Sequence, residues 1–368
     1  MTEKVDLHVL GRELLAGIKK NIESLGRTVR YMEVCGTHTV SIFRAGLRQI
    51  LPESVELVSG PGCPVCVTPD IYMDTAIAYA KQDDVIITTF GDMLKVPGSK
   101  SSLSEAMAEG ADIRVVYSPL DSLPIAKENP DKKVIFLAVG FETTAPTAAA
   151  VVIAAKEQGI ENFYVLSAQK LVPPAMKSLL ADPEMRIDGF LLPGHVAVVT
   201  GTDDFAFLAD EYKLPGVVAG FEPLEILRAV YRLTQMTVSG EAKVLNEYGK
   251  VVRAEGNPAA RKILDMVYEP ADSEWRGLGM IPASGLQVKK EWREYDISFV
   301  RPLDIPRVEK NTACRCGEVL SGKVTPHDCP LFGKACVPEH SIGPCMVSVE
   351  GVCAAWYKYG GGKFQYGK

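Results

Sequence analysis

Hydrophobic positions recur along this chain at two spacings. Leu7, Leu10, Leu14, Leu15, Ile18 and Ile22 fall three or four residues apart, which predicts an amphipathic helix over 7–25. Beyond it, short apolar runs take over, at 29–34, 55–58, 84–89, 133–139, 162–166, 189–192 and 216–219. They are rich in Val, Ile, Leu and aromatic residues and stop at Gly, Pro or polar residues, as strands buried on both faces do. Helical stretches at 40–51, 71–81 and 145–158 separate some of them, with Asp70 placed to cap the second. This alternation predicts an α/β fold of parallel sheets covered by helices.

Phe90-Gly91-Asp92, Gly140-Phe141-Glu142 and Gly220-Phe221-Glu222 each set an acid beside a Gly and a Phe at a strand end. The recurrence suggests a duplicated unit, one half closing near Tyr117 and the next near Val238, with the proline-bearing stretch 118–124 as the seam. The expected organisation is two similar parallel-sheet α/β domains, 1–118 and 119–238, plus a third domain over 239–368. The helix over 7–25 is free to pack on another domain. After Ser239 the alternation fades, and Trp275, Gly277, Gly279, Pro282 and Gly285 predict an irregular region. The tail from Tyr357 to Gly362 reads as exposed.

Composition narrows the classes. With 368 residues, 47% of them apolar and 23% charged, the chain describes a globular protein too long for a single core. A net charge of −6 and the lack of a basic run argue against nucleic acid. No apolar run is long enough for a membrane span; the longest candidate, over 134–155, is broken by Glu142 and Pro146. The charged N-terminus lacks the apolar core of a signal peptide. A cytoplasmic location is expected, where thiols stay reduced and clustered cysteines mean metal or redox chemistry.

Six of the nine cysteines crowd into the C-terminal stretch: Cys314, Cys316, Cys329, Cys336, Cys345 and Cys353. Their gaps of 1, 12, 6, 8 and 7 residues contain no paired knuckle of the kind structural zinc prefers. A Cys-x-Cys pair has little room to put both sulfurs on one ion. Four thiolates on an iron–sulfur cluster with two left beside it account for all six, so spacing favours a cluster over zinc. A disulfide framework fits the compartment least. Cys35, in Cys35-Gly36-Thr37-His38, follows a strand and opens a helix, where N–H donors and the helix dipole are expected to lower its pKa. Cys63-Pro64-Val65-Cys66 repeats that placement and reads either as a redox pair or as part of a metal pocket. His195, Glu142, His327 and His340 are weaker candidates, each as readily structural. No phosphate-binding glycine pattern is present.

Glu33-Val34-Cys35-Gly36-Thr37-His38-Thr39, Gly60-Pro61-Gly62-Cys63-Pro64-Val65-Cys66-Val67-Thr68, Val139-Gly140-Phe141-Glu142-Thr143-Thr144, Pro193-Gly194-His195 and the C-terminal cysteine pattern together resemble the HypD family of [NiFe]-hydrogenase maturation factors, over nearly the whole chain. The resemblance implies two similar α/β domains and an iron–sulfur domain. It implies a scaffold on which the Fe(CN)2CO group is assembled, working with the small chaperone HypC and receiving cyanide from a thiocyanate on HypE. Carried onto this sequence, Cys35 would ligate that iron together with a cysteine of HypC, and His38 would be a nearby proton donor or orienting group. Cys63 and Cys66 would line the same cleft and supply electrons or a transient thiol. By likeness to ferredoxin:thioredoxin reductase, Cys314, Cys329, Cys336 and Cys353 would hold a [4Fe-4S] cluster, with Cys316 and Cys345 as the adjacent redox pair. A different class of function, a free-standing iron–sulfur thiol-disulfide oxidoreductase, would rely on Cys316 and Cys345 and leave Cys35 without a task.

Overall fold

The computed structural model describes residues 7–308 and 313–360. Its strands, in chain order, are β1 (Val29–Glu33), β2 (Val55–Ser59), β3 (Val85–Thr89), β4 (Ile113–Val115), β5 (Lys133–Gly140), β6 (Phe163–Gln169), β7 (Gly189–Pro193), β8 (Gly216–Ala219), β9 (Val244–Asn246), β10 (Tyr268–Trp275) and β11 (Gly279–Val288). The first nine build two sheets, ordered β2-β1-β7-β8-β9 and β4-β3-β5-β6. Every pairing in both is parallel. This matches the expected α/β class.

The chain does not finish one sheet before starting the next. It lays down β1 and β2, leaves to build all of the second sheet, and returns with β7, β8 and β9. The expected boundary at 118/119 therefore falls inside the second sheet, where β3 before it pairs with β5 after it. The expected boundary at 238/239 falls at the end of the helix Pro223–Ser239, and β9 beyond it still pairs with β8 of the first sheet. An apolar run announces that a strand is buried and carries no mark of which neighbour it will pair with. The helix Leu7–Leu25 packs along Pro223–Ser239, with Gly17 against the Tyr231 ring and Asn21 Nδ2 donating to Thr234 Oγ1 at 3.0 Å. Leu14, Ile18 and Ile22 join Tyr31, Leu191, Ile226 and Val230 in one core. No helix among the described residues is long and apolar enough to cross a membrane.

The region after Ser239 is more ordered than its sequence suggests. β10 and β11 form an antiparallel hairpin with a bulge between Ala271 and Ser273. β10 reads Tyr-Glu-Pro-Ala-Asp-Ser-Glu-Trp, too polar and too proline-marked to announce itself as a strand. Its partner β11 docks on β6 and the residues that follow it, and Lys170 reaches β10 itself. Leu171 N–H donates to the Ser284 carbonyl at 2.8 Å, Ser167 Oγ to that of Leu286 at 2.9 Å, and Lys170 Nζ to that of Glu274 at 2.7 Å. Lys170 is buried, and that burial lowers its pKa to about 8. Trp275, 1% exposed, stacks on Phe141 at 5.9 Å and donates its indole N–H to Ser284 Oγ at 2.8 Å. Tyr357 and Lys358 of the expected exposed tail are exposed, though they belong to a helix. Helix Val352–Tyr359 sets a buried Trp356 edge-on to Phe43, 5.1 Å away, while Gly361 and Gly362 lie outside the described residues.

Glu142 sits where β5 turns into the helix Ala145–Glu157. It is 2% exposed; Oε1 accepts the Val172 N–H at 2.8 Å, and Oε2 has no hydrogen-bond partner. Burial pushes its pKa up to about 8, against backbone N–H groups that pull it down.

Two outcomes follow from this packing. Trp275→Ala is expected to remove about 3–5 kcal/mol of stability, read from guanidinium unfolding, because a fully buried aromatic leaves a cavity. Glu142 is protonated in the folded chain up to a pKa of about 8, while the unfolded carboxyl ionises near 4.5. Its contribution is full below the lower value and is lost as pH rises through the upper one. Glu142→Gln should flatten the fall in urea midpoint between pH 5 and pH 8; an equal fall in both proteins would refute this.

Candidate functional site

The two sheets turn the C-terminal ends of their strands toward one cleft of about 300 Å³. From the first sheet come Cys35 after β1, Gly62 after β2 and His195 after β7; from the second come Phe90 and Asp92 after β3, and Thr143 and Thr144 after β5. Glu350 closes it from the C-terminal segment. Strand ends beside a reversal of strand order are where open α/β sheets leave crevices. Cys35 stands at such a reversal, since β1 has β2 on one side and β7 on the other.

Cys35 is in extended conformation and caps the helix Gly36–Arg44, which begins four residues earlier than the helical spacing suggests. Gly46, at φ +64°, ends it and separates it from a short turn at Leu47–Ile50. Two backbones press on Cys35. A Cβ on Gly62 would lie 2.3 Å from the Cys35 nitrogen, and one on Gly36 would lie 2.6 Å from Glu350 Cβ. The expected lowering of the Cys35 pKa is reversed. Burial pushes the thiol up to about 11, and the nearby Glu350 carboxylate adds to the rise. The His38 and Thr37 N–H groups and the Thr37 hydroxyl pull the other way, and burial wins.

His38 is fully buried behind the cleft wall. Its Nε2 bonds the Gly220 carbonyl at 2.9 Å, so Nε2 carries the proton, and its Nδ1 has no hydrogen-bond partner. Burial lowers its pKa to about 4. His38 is therefore neutral at ordinary pH. The histidine that lines the cleft is His195. Phe221 stacks with both rings, 4.6 Å from His38 and 4.0 Å from His195.

Cys63 and Cys66 are disulfide-bonded, 5.2 Å apart at Cα. Cys63 caps the short helix Pro64–Val67, and its sulfur accepts the Cys66 N–H. Gly62, Pro64 and Val65 line the cleft, whereas the sulfurs sit just behind them, with Cys63 2% and Cys66 0% exposed. On the far side, Cys66 Sγ lies 3.9 Å from the Pro344 carbonyl, next to Cys345.

All six C-terminal cysteines line one narrow cavity, with Val319, Phe332 and Met346 among its apolar walls. Cys316 Sγ and Cys345 Sγ are 2.8 Å apart. Gly343 lets the chain approach, since a Cβ there would lie 2.9 Å from Cys314 Sγ. Hydrogen bonds from Cys314 and Cys345 pull the Cys316 sulfur toward thiolate and push its partners the other way. Among the described residues no group of three or more His, Cys, Asp or Glu converges tightly enough for a single metal ion. His340 is exposed, and His327 packs edge-on to Phe332 and Trp356. Neither lines the cavity.

Sequence reasoning missed Glu350. It lies between Cys345 and Cys353, accepts the Thr37 hydroxyl at 2.6 Å, and so ties the cysteine segment to the Cys35 helix. Its only mark in the sequence is a lone acid before Gly351. Asp92 was visible as a strand-end acid, and partial desolvation by the cleft walls raises its pKa although the residue stays exposed.

Residues 10–360 match the family described as "HypD: Hydrogenase formation hypA family". The chain is 48% identical over 335 residues to hydrogenase maturation factor HypD of Escherichia coli (strain K12), covering 90% of each. It is 44% identical over 363 residues to that of Rhodobacter capsulatus, covering 96% of each. Against a putative hydrogenase expression/formation protein of Methanocaldococcus jannaschii it is 43% identical over 350 residues, 93% of this chain and 97% of the relative. A match that spans the cleft, both sheets and the cysteine segment alike shows that this chain belongs to the HypD hydrogenase-formation family.

Proposed function

We propose that this chain is a scaffold and redox protein that assembles the Fe(CN)2CO group of [NiFe]-hydrogenase, with the small chaperone HypC and the cyanide donor HypE as partners. The observation that carries the reading is the succession of sulfurs. Cys35 opens on the cleft, the Cys63–Cys66 disulfide lies behind its wall, and Cys66 abuts the segment that carries Cys345.

Iron is the cargo here, held by Cys35 and a cysteine of HypC. Thiolate suits a soft, low-spin iron carrying cyanide and CO. The Thr37 and His38 N–H groups stabilise the sulfur once iron takes the place of its proton. Cyanide arrives as R–S–C≡N on HypE. Its S–C bond breaks and an Fe–C bond forms, while the released sulfur takes up two electrons and a proton. Reduced Cys63 and Cys66 supply those two electrons, closing to the disulfide and giving up two protons, one of which the leaving sulfur takes. The Cys316/Cys345 dithiol then restores them by exchange and becomes a disulfide itself. The donor set of the C-terminal cavity fits a [4Fe-4S] cluster, with Cys314, Cys329, Cys336 and Cys353 as ligands. Bound there, that group would provide electrons one at a time to the neighbouring pair. His195, Asp92 and Glu350 line the cleft as groups that can hold or pass a proton.

Infrared spectroscopy on anaerobically purified protein with its small partner tests the anchor. Wild type should show cyanide and CO stretches, and Cys35→Ala should lose them while keeping its cluster absorption. Unchanged bands would move the iron elsewhere. No bands in any sample, with intact disulfide reductase activity, would favour the free-standing oxidoreductase. The division of the C-terminal cysteines has its own check. Single Ala variants at Cys314, Cys329, Cys336 or Cys353 should lose most of the visible absorption near 400 nm, on the order of a several-fold drop. Cys316→Ala and Cys345→Ala should retain it; the reverse pattern would overturn the division.

A further inference from the structure

The tip of the β10–β11 hairpin is wedged between the two cysteine pairs. On one side, Arg276 holds the chain that follows Cys66. Its N–H donates to the Val67 carbonyl at 2.8 Å, Nε to the Thr68 carbonyl at 2.6 Å and Nη2 to the Pro97 carbonyl at 3.2 Å; Nη1 pairs with Asp70 at 2.9 Å. The side chain is only 11% exposed. On the other side, Gly277 meets Gly317, the residue after Cys316. A Cβ on Gly277 would lie 2.4 Å from Gly317 Cα, and one on Gly317 would lie 2.5 Å from the Gly277 carbonyl oxygen. Trp275 anchors the tip against Phe141, just past the end of β5, while its indole N–H bonds Ser284 of the hairpin itself.

We infer that Arg276 is a positioning residue that holds the Cys63–Cys66 loop in register with the Cys316/Cys345 pair, so that the pairs can exchange a disulfide. The inference rests on the redox succession proposed above and adds the element that sets its geometry. In the exchange, Cys345 gives up its proton and attacks Cys66, the Cys63–Cys66 bond breaks and Cys63 leaves, taking a proton to become a thiol. Cys316 then attacks Cys345 and releases Cys66. Two electrons pass from the Cys316/Cys345 dithiol, which is oxidised, to Cys63 and Cys66, which are reduced, and two protons go with them. Such attack needs the entering sulfur aligned with the bond it breaks, and a misplacement of about 1 Å costs on the order of a hundredfold in rate. Arginine suits the task because its planar fork carries five donors in fixed directions; lysine keeps the charge and loses the fork.

The test uses the full chain carrying Cys63→Ala and Cys316→Ala, which leaves Cys66 and Cys345 without their usual partners. Mild oxidation should trap a Cys66–Cys345 disulfide, counted by alkylation and mass spectrometry. Adding Arg276→Met should slow trapping about tenfold or more, with Arg276→Lys in between. A role limited to stability would lower the melting temperature and leave the trapping rate unchanged, and that result overturns the inference while the proposed function stands. No trapping in the parent would sink both the exchange and the inference. Should Arg276→Met not fold, Asp70→Asn removes one tether only; slower trapping is expected, and an unaltered rate counts against the inference.

Discussion

The candidate site depends on backbone passing against backbone with no side chain between. Gly36 lies under Glu350, Gly62 under the Cys35 nitrogen and Gly277 against Gly317, each with room for hydrogen alone. Of these only Gly277 has a positive φ, so Gly36 and Gly62 are required by space rather than by backbone conformation. These approaches bring three distant stretches, 35–38, 62–66 and 316–350, against one another. A Cβ at any of them would separate two of the cysteine groups.

Burial sets the electrostatics around that contact. The Cys35 thiol rises to about 11 and the His38 imidazole falls to about 4, so both stay neutral at ordinary pH despite the N–H groups aimed at the sulfur. Beneath them lies a charged pair. Glu33, two residues before Cys35 and 1% exposed, accepts from Ser59 Oγ at 2.7 Å and from Arg48 Nη2 at 3.1 Å. Arg48 in turn lies over the Phe43 and Trp356 rings, 4.8 and 5.5 Å away. This pair joins β1, the strand that presents Cys35, to the last helix of the cysteine segment. Breaking such a buried pair costs about 3–5 kcal/mol. The foundation of the site is therefore stiff.

Much of this was legible along the chain. The apolar runs marked β1, β2, β3 and β5 to β8, but not the short β4, because a strand covered on both faces must be apolar throughout. The amphipathic helix at the start kept its 3.6-residue spacing because a single stripe of it is buried. The cysteines were legible as chemistry because soft, crowded thiols have few structural uses. β10 was not, because Glu269, Pro270, Asp272 and Glu274 break any alternation and its hydrogen bonds come from its hairpin partner β11 and from Lys170, which follows β6.

By itself, then, the sequence determined the α/β class, the strand ends that carry reactive residues and the six cysteines that share one cavity. These rest on local pattern, where a residue's own chemistry or its spacing to near neighbours is enough. Only the tertiary structure decided that the two sheets interleave, that His195 rather than His38 faces the cleft, that burial raises the Cys35 pKa, and that Glu350 and Arg276 reach across to distant cysteines. Each depends on which distant segments meet and how much water they exclude. Spacing along the chain does not encode either, because desolvation and pairing arise only when the segments close on one another.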